Sequence, residues 1–364
     1  MLLSLLKSHY EERKVLLQEI GKKQNMKLIL FDVHDAKMIY NIMQYSLWNR
    51  KYHPFLLCKC LKGESVVNLE NHTCVLITDE ESEKLHDKSK KRFADKFNNE
   101  MTLSNEEKHR EWCDKHNFGI THFGLHPSLM PPSSIAFDSL HCRLSNVRQI
   151  MGFVRKYLER FGYEIQEEFA AILKLQLGEY YVLCYQLNKN LAVMHGEQIE
   201  QYLQLIPNII RFLQTKLAPT MTLSHIITLL TYYPLLDKFL RITKVIDTNS
   251  SLEEQDKQKN DYELKIIEFK NNLLIYKKAA AQTILSKNAI GDSENFYSHV
   301  LFNYYPKLII KVWNEYKVGV GVFNLQGFER RNKESKNAAK CFYNGKHNIC
   351  TQTMNRMHDH WYYS

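Results

Sequence analysis

The stretch Leu28-Ile29-Leu30-Phe31-Asp32-Val33-His34-Asp35-Ala36-Lys37 decides how this chain is read. Leu28–Phe31 is a short apolar run bounded by polar residues, the pattern of a buried strand. Aspartates close the run. Carboxylates at the end of a strand can hold a hard divalent cation through oxygen. Asp35 can equally cap the helix that the sequence places from about Asp35 to Trp48.

Outward from that strand, residues 2–20 show helical periodicity, with Leu2, Leu5, Leu6, Tyr10 and Val15–Leu17 on or near one face. Residues 54–61 and 73–78 read as further short strands, and 79–117 as charged helix or loop. The Gly/His/Pro-rich stretch 118–134 reads as an irregular loop. From Asp138 the character changes: Leu144, Val147, Met151, Val154 and Leu158 recur at helical spacing. Amphipathic helical patterns then dominate to about residue 317. The charged stretch 248–262 reads as a loop leading into a long helix. No fixed-period repeat is found.

The expected fold is therefore mixed α/β and predominantly helical. Its boundaries are set at 1–140 for an α/β part, 141–295 for an all-α part, and 296–364 for a basic helical part. Low Gly (13) and Pro (8) in 364 residues favour long helices. No run of about 18 apolar residues occurs, so no membrane span is expected. The N-terminal apolar stretch lacks a basic leader and a cleavage site and does not read as a secretion signal. Scattered cysteines do not make a disulfide framework and point to the nucleus or cytoplasm.

The net charge is +9, and it is uneven: residues 301–364 hold ten Lys/Arg against four acids. Such a segment suits a polyanion, although a solvated helix face has the same composition.

Two further constellations carry chemistry. In Phe137-Asp138-Ser139-Leu140-His141-Cys142, Asp138 and His141 stand three apart at a helix start, either a catalytic pair or a cap with a polar core contact. In Gly327-Phe328-Glu329-Arg330-Arg331-Asn332-Lys333-Glu334-Ser335-Lys336, Glu329, Asn332, Lys333 and Lys336 share a helix face. Glu329 could hold a metal while the cations hold phosphate. A surface Glu–Lys pair is the plainer reading of the same spacing.

In this order, the constellations resemble the catalytic core of the V(D)J recombinase and Transib transposases. Asp35-Ala36-Lys37 is similar to the segment of the second catalytic aspartate. Asp138-Ser139-Leu140-His141-Cys142 is similar to the family's Asp-x-Leu-His-Cys segment, and Gly327–Lys333 to that of the catalytic glutamate. Cys58-Lys59-Cys60 stands where the family has a cysteine knuckle. Phe296-Tyr297-Ser298-His299 stands where it carries zinc histidines. Asn190–Pro207 resembles a helical stretch of the insertion, and His358-Asp359-His360-Trp361 the ending.

The resemblance implies a partial ribonuclease H-like sheet interrupted by a large all-α insertion. It implies two-metal phosphodiester cleavage and strand transfer on DNA, with Mg²⁺ or Mn²⁺ on Asp35 and Glu329 and with His141 near the reacting groups. Arg330, Arg331, Lys333 and Lys336 would contact DNA, and family members self-associate. Zn²⁺ would lie on Cys58, Cys60 and His299.

The sequence departs from the family twice. The cysteine pair is Cys-x-Cys rather than Cys-x-x-Cys, and Tyr304 occupies the second histidine position. The residues given also begin just before the second catalytic segment. The expectation is therefore an impaired enzyme lacking the first aspartate, or a DNA-binding scaffold or inactive fragment of transposon origin.

Overall fold

The computed structural model describes residues 75–97, 111–113, 115–117, 126–177, 196–285 and 296–324, the backbone of 32–34, and single positions that include Cys58 and Ile120. The chain divides into two compact units, Met1–Phe323 and Asn324–Ser364. All the described residues except Asn324 belong to the first. Of the N-terminal helix, positions 8, 11, 12, 15, 16 and 19 are described and helical. Val15 and Leu16, read as part of its apolar face, are more than half exposed.

The order of elements is β1 (Asp32–His34), α1 (Asp79–Phe97), a 3₁₀ turn (Pro132–Ser134) and β2 (Ile135–Phe137). Helices α2 (Ser139–Leu158), α3 (Tyr163–Leu177), α4 (Gly196–Lys216), α5 (Met221–Leu240) and α6 (Leu252–Leu285) follow. A short α7 (Phe296–His299) runs through a π-helical turn (Val300–Tyr304) into α8 (Tyr305–Tyr316), and a 3₁₀ turn ends at Phe323. The described residues are predominantly helical. Their one sheet is the parallel pair β1–β2, in register Asp32↔Ile135, Val33↔Ala136 and His34↔Phe137.

A strand is described at Asp32–His34, while Leu28–Phe31, where the sequence placed one, lie outside the described residues. The strands expected at 54–61 and 73–78 contribute one isolated antiparallel bridge, Cys58↔Leu76, among the described residues. β2, just past the 118–134 loop, was given no element in the sequence, because a three-residue strand buried at every position shows no alternation.

α2 starts where the sequence placed it. Asp138 is its N-cap, and the apolar positions Leu144, Val147, Met151, Val154 and Leu158 are all buried. α6 begins at Leu252, earlier than the charged 248–262 loop implied. Ser251 Oγ accepts from Glu254 N (3.3 Å), and Glu253 and Glu254 favour the positive end of the helix, so the charge run opens a helix rather than a loop.

α5 packs along α6, α3 against α4, and α2 against α4, α5 and α7. Phe239 lies between Tyr262 and Phe269, with ring centroids 5.5 and 4.6 Å away, and Trp313 of α8 covers Tyr262 at 4.8 Å. After α8, Gly319 and Gly321 press against the backbone at the end of α5. A Cβ on Gly319 would stand 2.1 Å from Ile242 O, so no larger residue fits there.

Candidate functional site

β1 and β2 run parallel and end together, and the next residue of each segment is an aspartate: Asp35 after His34, Asp138 after Phe137. Ligand chemistry in parallel sheets gathers beyond the carboxyl ends of the strands. Asp35 lies outside the described residues. Asp138 is described in full and has no exposed surface. Its Oδ1 accepts from Leu140 N (3.0 Å) and its Oδ2 from His141 N (3.1 Å), two of the donors a helix start leaves without intrahelical partners. Asp138 Oδ2 also makes a close contact with His141 Nδ1.

One carboxylate therefore caps α2 and fixes an imidazole. The His141 side chain is 30% exposed. The ring stacks on Tyr297, centroids 6.2 Å apart and planes 18° from parallel. A carboxylate-oriented imidazole within reach of solvent can accept a proton or donate a hydrogen bond to a phosphate oxygen.

The rest of the motif is structural. Leu140 and Cys142 are buried. Burial pushes the Cys142 thiol far above the usual range, and Sγ–H points at Tyr297 O (3.7 Å), so this cysteine is an inert core group. Asn146 Nδ2 donates to Cys142 O (2.7 Å) and Tyr297 O (3.3 Å), and Ser298 Oγ donates to Asn146 Oδ1 (2.9 Å). This network docks the Phe296–His299 segment on α2. Tyr305 Oη donates to Phe137 O (3.0 Å) and ties α8 to the end of β2.

The docking brings His299 to Cys58 across 241 residues: Nε2 and Sγ are 3.4 Å apart and both residues are buried. Asn303 Nδ2, 3.2 Å from His299 Nδ1, holds the other side of the ring. One proton between thiol and imidazole satisfies this contact. The same sulfur and nitrogen are also two of the four donors that a closed tetrahedral zinc site takes. Cys60 lies outside the described residues.

Of the residues singled out in the sequence, the structure thus joins His141 with Asp138 and Cys58 with His299. Glu329, Arg330, Arg331, Lys333 and Lys336 lie outside the described residues, like Asp35. Tyr297 as the partner of His141 was missed, since no periodic signal links positions so far apart in the chain. A second group was missed as well. His86, Asp87 and His126 present ligand atoms that all lie within 4.8 Å of one another, a set that could hold a metal ion.

Among the described residues no helix is long and apolar enough to cross a membrane. No protein-family model matches the sequence, and no curated protein matches it.

Proposed function

We propose that this chain is a transposase-derived protein that acts on DNA, with phosphodiester cleavage and strand transfer as the ancestral activity. The observation that carries the reading is the parallel β1–β2 pair: β2 leads through Asp138 to a carboxylate-held imidazole, His141, and Asp35 follows β1 in the sequence. The Cys58–His299 contact supports it, because two segments picked for a resemblance to one zinc site meet in space.

In this reading Asp35 and Glu329 would hold Mg²⁺ or Mn²⁺, as the resemblance implies, and the ion would supply Lewis acidity toward the phosphodiester. His141, oriented by Asp138, hydrogen-bonds a phosphate oxygen or takes the proton of the attacking hydroxyl. Arg330, Arg331, Lys333 and Lys336 neutralise backbone phosphates and position the duplex without reading its sequence. Cys58 and His299 are two donors of a zinc site in which Cys60 is a third. A second reading, a non-catalytic DNA-binding scaffold, rests on the basic excess of residues 301–364 alone.

Nicking of supercoiled DNA in Mg²⁺ or Mn²⁺ separates the two. The proposal expects impaired, slow nicking by the parent chain, its loss in Glu329→Ala, and DNA retention unchanged in a mobility-shift assay. Nicking that survives Glu329→Ala removes the catalytic assignment. Binding without any nicking by the parent chain leaves the scaffold.

A further inference from the structure

We propose that His86, Asp87 and His126 form a zinc site that clips α1 to the segment leading into β2. This inference is independent of the transposase reading. Its donors are separate from Asp35 and Glu329 and from the Cys58–His299 pair.

Two donors come from adjacent residues in the middle of α1 and the third from the loop at His126, so the set joins elements 39 residues apart (126 − 87). His126 Nε2 stands 3.9 Å from Asp87 Oδ1, and His86 Nδ1 stands 4.0 Å from the same oxygen. The two rings meet edge to face, centroids 4.7 Å apart. Nitrogen and oxygen ligands lie about 2.1 Å from zinc, hence about 3.4 Å from one another in a tetrahedron. The two histidine–aspartate separations exceed that by about 0.5–0.6 Å and the widest pair by up to about 1.4 Å, gaps that side-chain rotation can close. Two imidazoles and one carboxylate are borderline donors that suit zinc and cobalt better than Mg²⁺ or Ca²⁺.

The surroundings prepare the set. His86 is largely buried, its side chain 12% exposed. His126 is aimed by Ser128, whose backbone N–H donates to Nδ1 (3.2 Å) and whose Oγ lies 2.8 Å from the same nitrogen, so that Nε2 faces Asp87. An ion on Nε2 moves the ring proton to Nδ1, where Ser128 Oγ accepts it and the bond from Ser128 N–H is given up. Partners of this kind on the far nitrogen are a regular feature of histidine ligands. Asp87, 73% exposed, faces solvent and leaves a position open to water.

The clip has a mechanical consequence. Asp79, two turns before His86 on α1, already accepts from Ser133 N at 2.9 Å. A metal at His126 gives α1 a second hold on the same segment. That segment delivers Ile135–Phe137 and then Asp138, so the ion would stiffen the approach to the Asp138–His141 pair.

Cobalt and zinc titrations of the metal-stripped full chain test this. In the Cys58→Ser chain, which removes the thiolate of the Cys58–His299 pair, Co²⁺ should still bind, with the visible bands of nitrogen and oxygen ligation and no thiolate charge-transfer band. His126→Ala and Asp87→Asn should each weaken binding at least about 10-fold, and Ser128→Ala about 10-fold. Asp87 is exposed, so Asp87→Asn keeps the fold, and unchanged circular dichroism without metal confirms it. Cobalt that is bound only through thiolate, that is lost in Cys58→Ser, or that is unaffected by Asp87→Asn and His126→Ala overturns the proposal. Failure of the parent chain to bind either metal overturns it too.

Discussion

Asp138 meets three demands with one carboxylate. It satisfies two backbone donors at the start of α2 and holds the His141 ring. Stability and orientation therefore separate cleanly by substitution. Asp138→Ala removes the cap and leaves buried N–H groups without an acceptor, a loss of about 2 kcal/mol. His141→Ala removes a partly exposed ring and changes stability by less than about 1 kcal/mol. Urea unfolding of the two variants measures both, and equal losses would mean that His141 is a core residue rather than an oriented site group. The cap was legible in the sequence, since an Asp directly before a 3.6-residue apolar period is a local signal. The stacking of His141 on Tyr297 and the meeting of Cys58 with His299 were not legible as contacts. They depend on how α7 docks on α2 through Asn146 and Ser298, which no local pattern encodes.

At the scale of elements, the long helices were legible and β2 was not. α2 shows its buried stripe at every turn. β2 buries all three of its residues and so has no alternation to read. The ion cluster joining α2, α4 and α5 was equally invisible. Asp237 sits in the apolar sequence of α5 with 1% of its surface exposed. Arg143 Nε donates to Asp237 Oδ1 at 2.6 Å, Arg241 Nε to Asp237 Oδ2 at 2.7 Å, and Arg143 Nη2 to Glu200 Oε1 at 3.1 Å. Tyr233 Oη closes the cluster by donating to Arg143 O at 2.9 Å. Removing one member of a buried pair strands the other charge in a low-dielectric interior. Asp237→Ala should therefore cost about 3–5 kcal/mol, whereas the apolar double replacement Arg143→Met with Asp237→Leu should recover most of it. Thermal unfolding of the two variants decides this. A single substitution no worse than the double one would show that the pair is not what holds α2 to α5.

At the scale of the whole molecule, charge distribution is what the sequence disclosed most directly, because it needs no folding to be read. The unit Asn324–Ser364 contains Arg330, Arg331, Lys333 and Lys336 within seven consecutive residues. Were these a solvated surface, their removal would alter DNA affinity only through net charge and would leave its salt dependence nearly unchanged. Were each paired with a phosphate, each would release condensed counterions on binding. The slope of log K against log salt is then about −0.9 per neutralised phosphate on duplex DNA. Replacing all four by Ala should accordingly flatten the slope by about 3 to 4, with affinity falling most at low salt. Fluorescence anisotropy on one duplex across a salt series measures the slope of both proteins. Parallel lines would assign these cations to a solvated face and move the DNA contact elsewhere on the chain. A flattened slope with unchanged sequence preference would identify them as phosphate contacts that place the duplex and leave base reading to other residues.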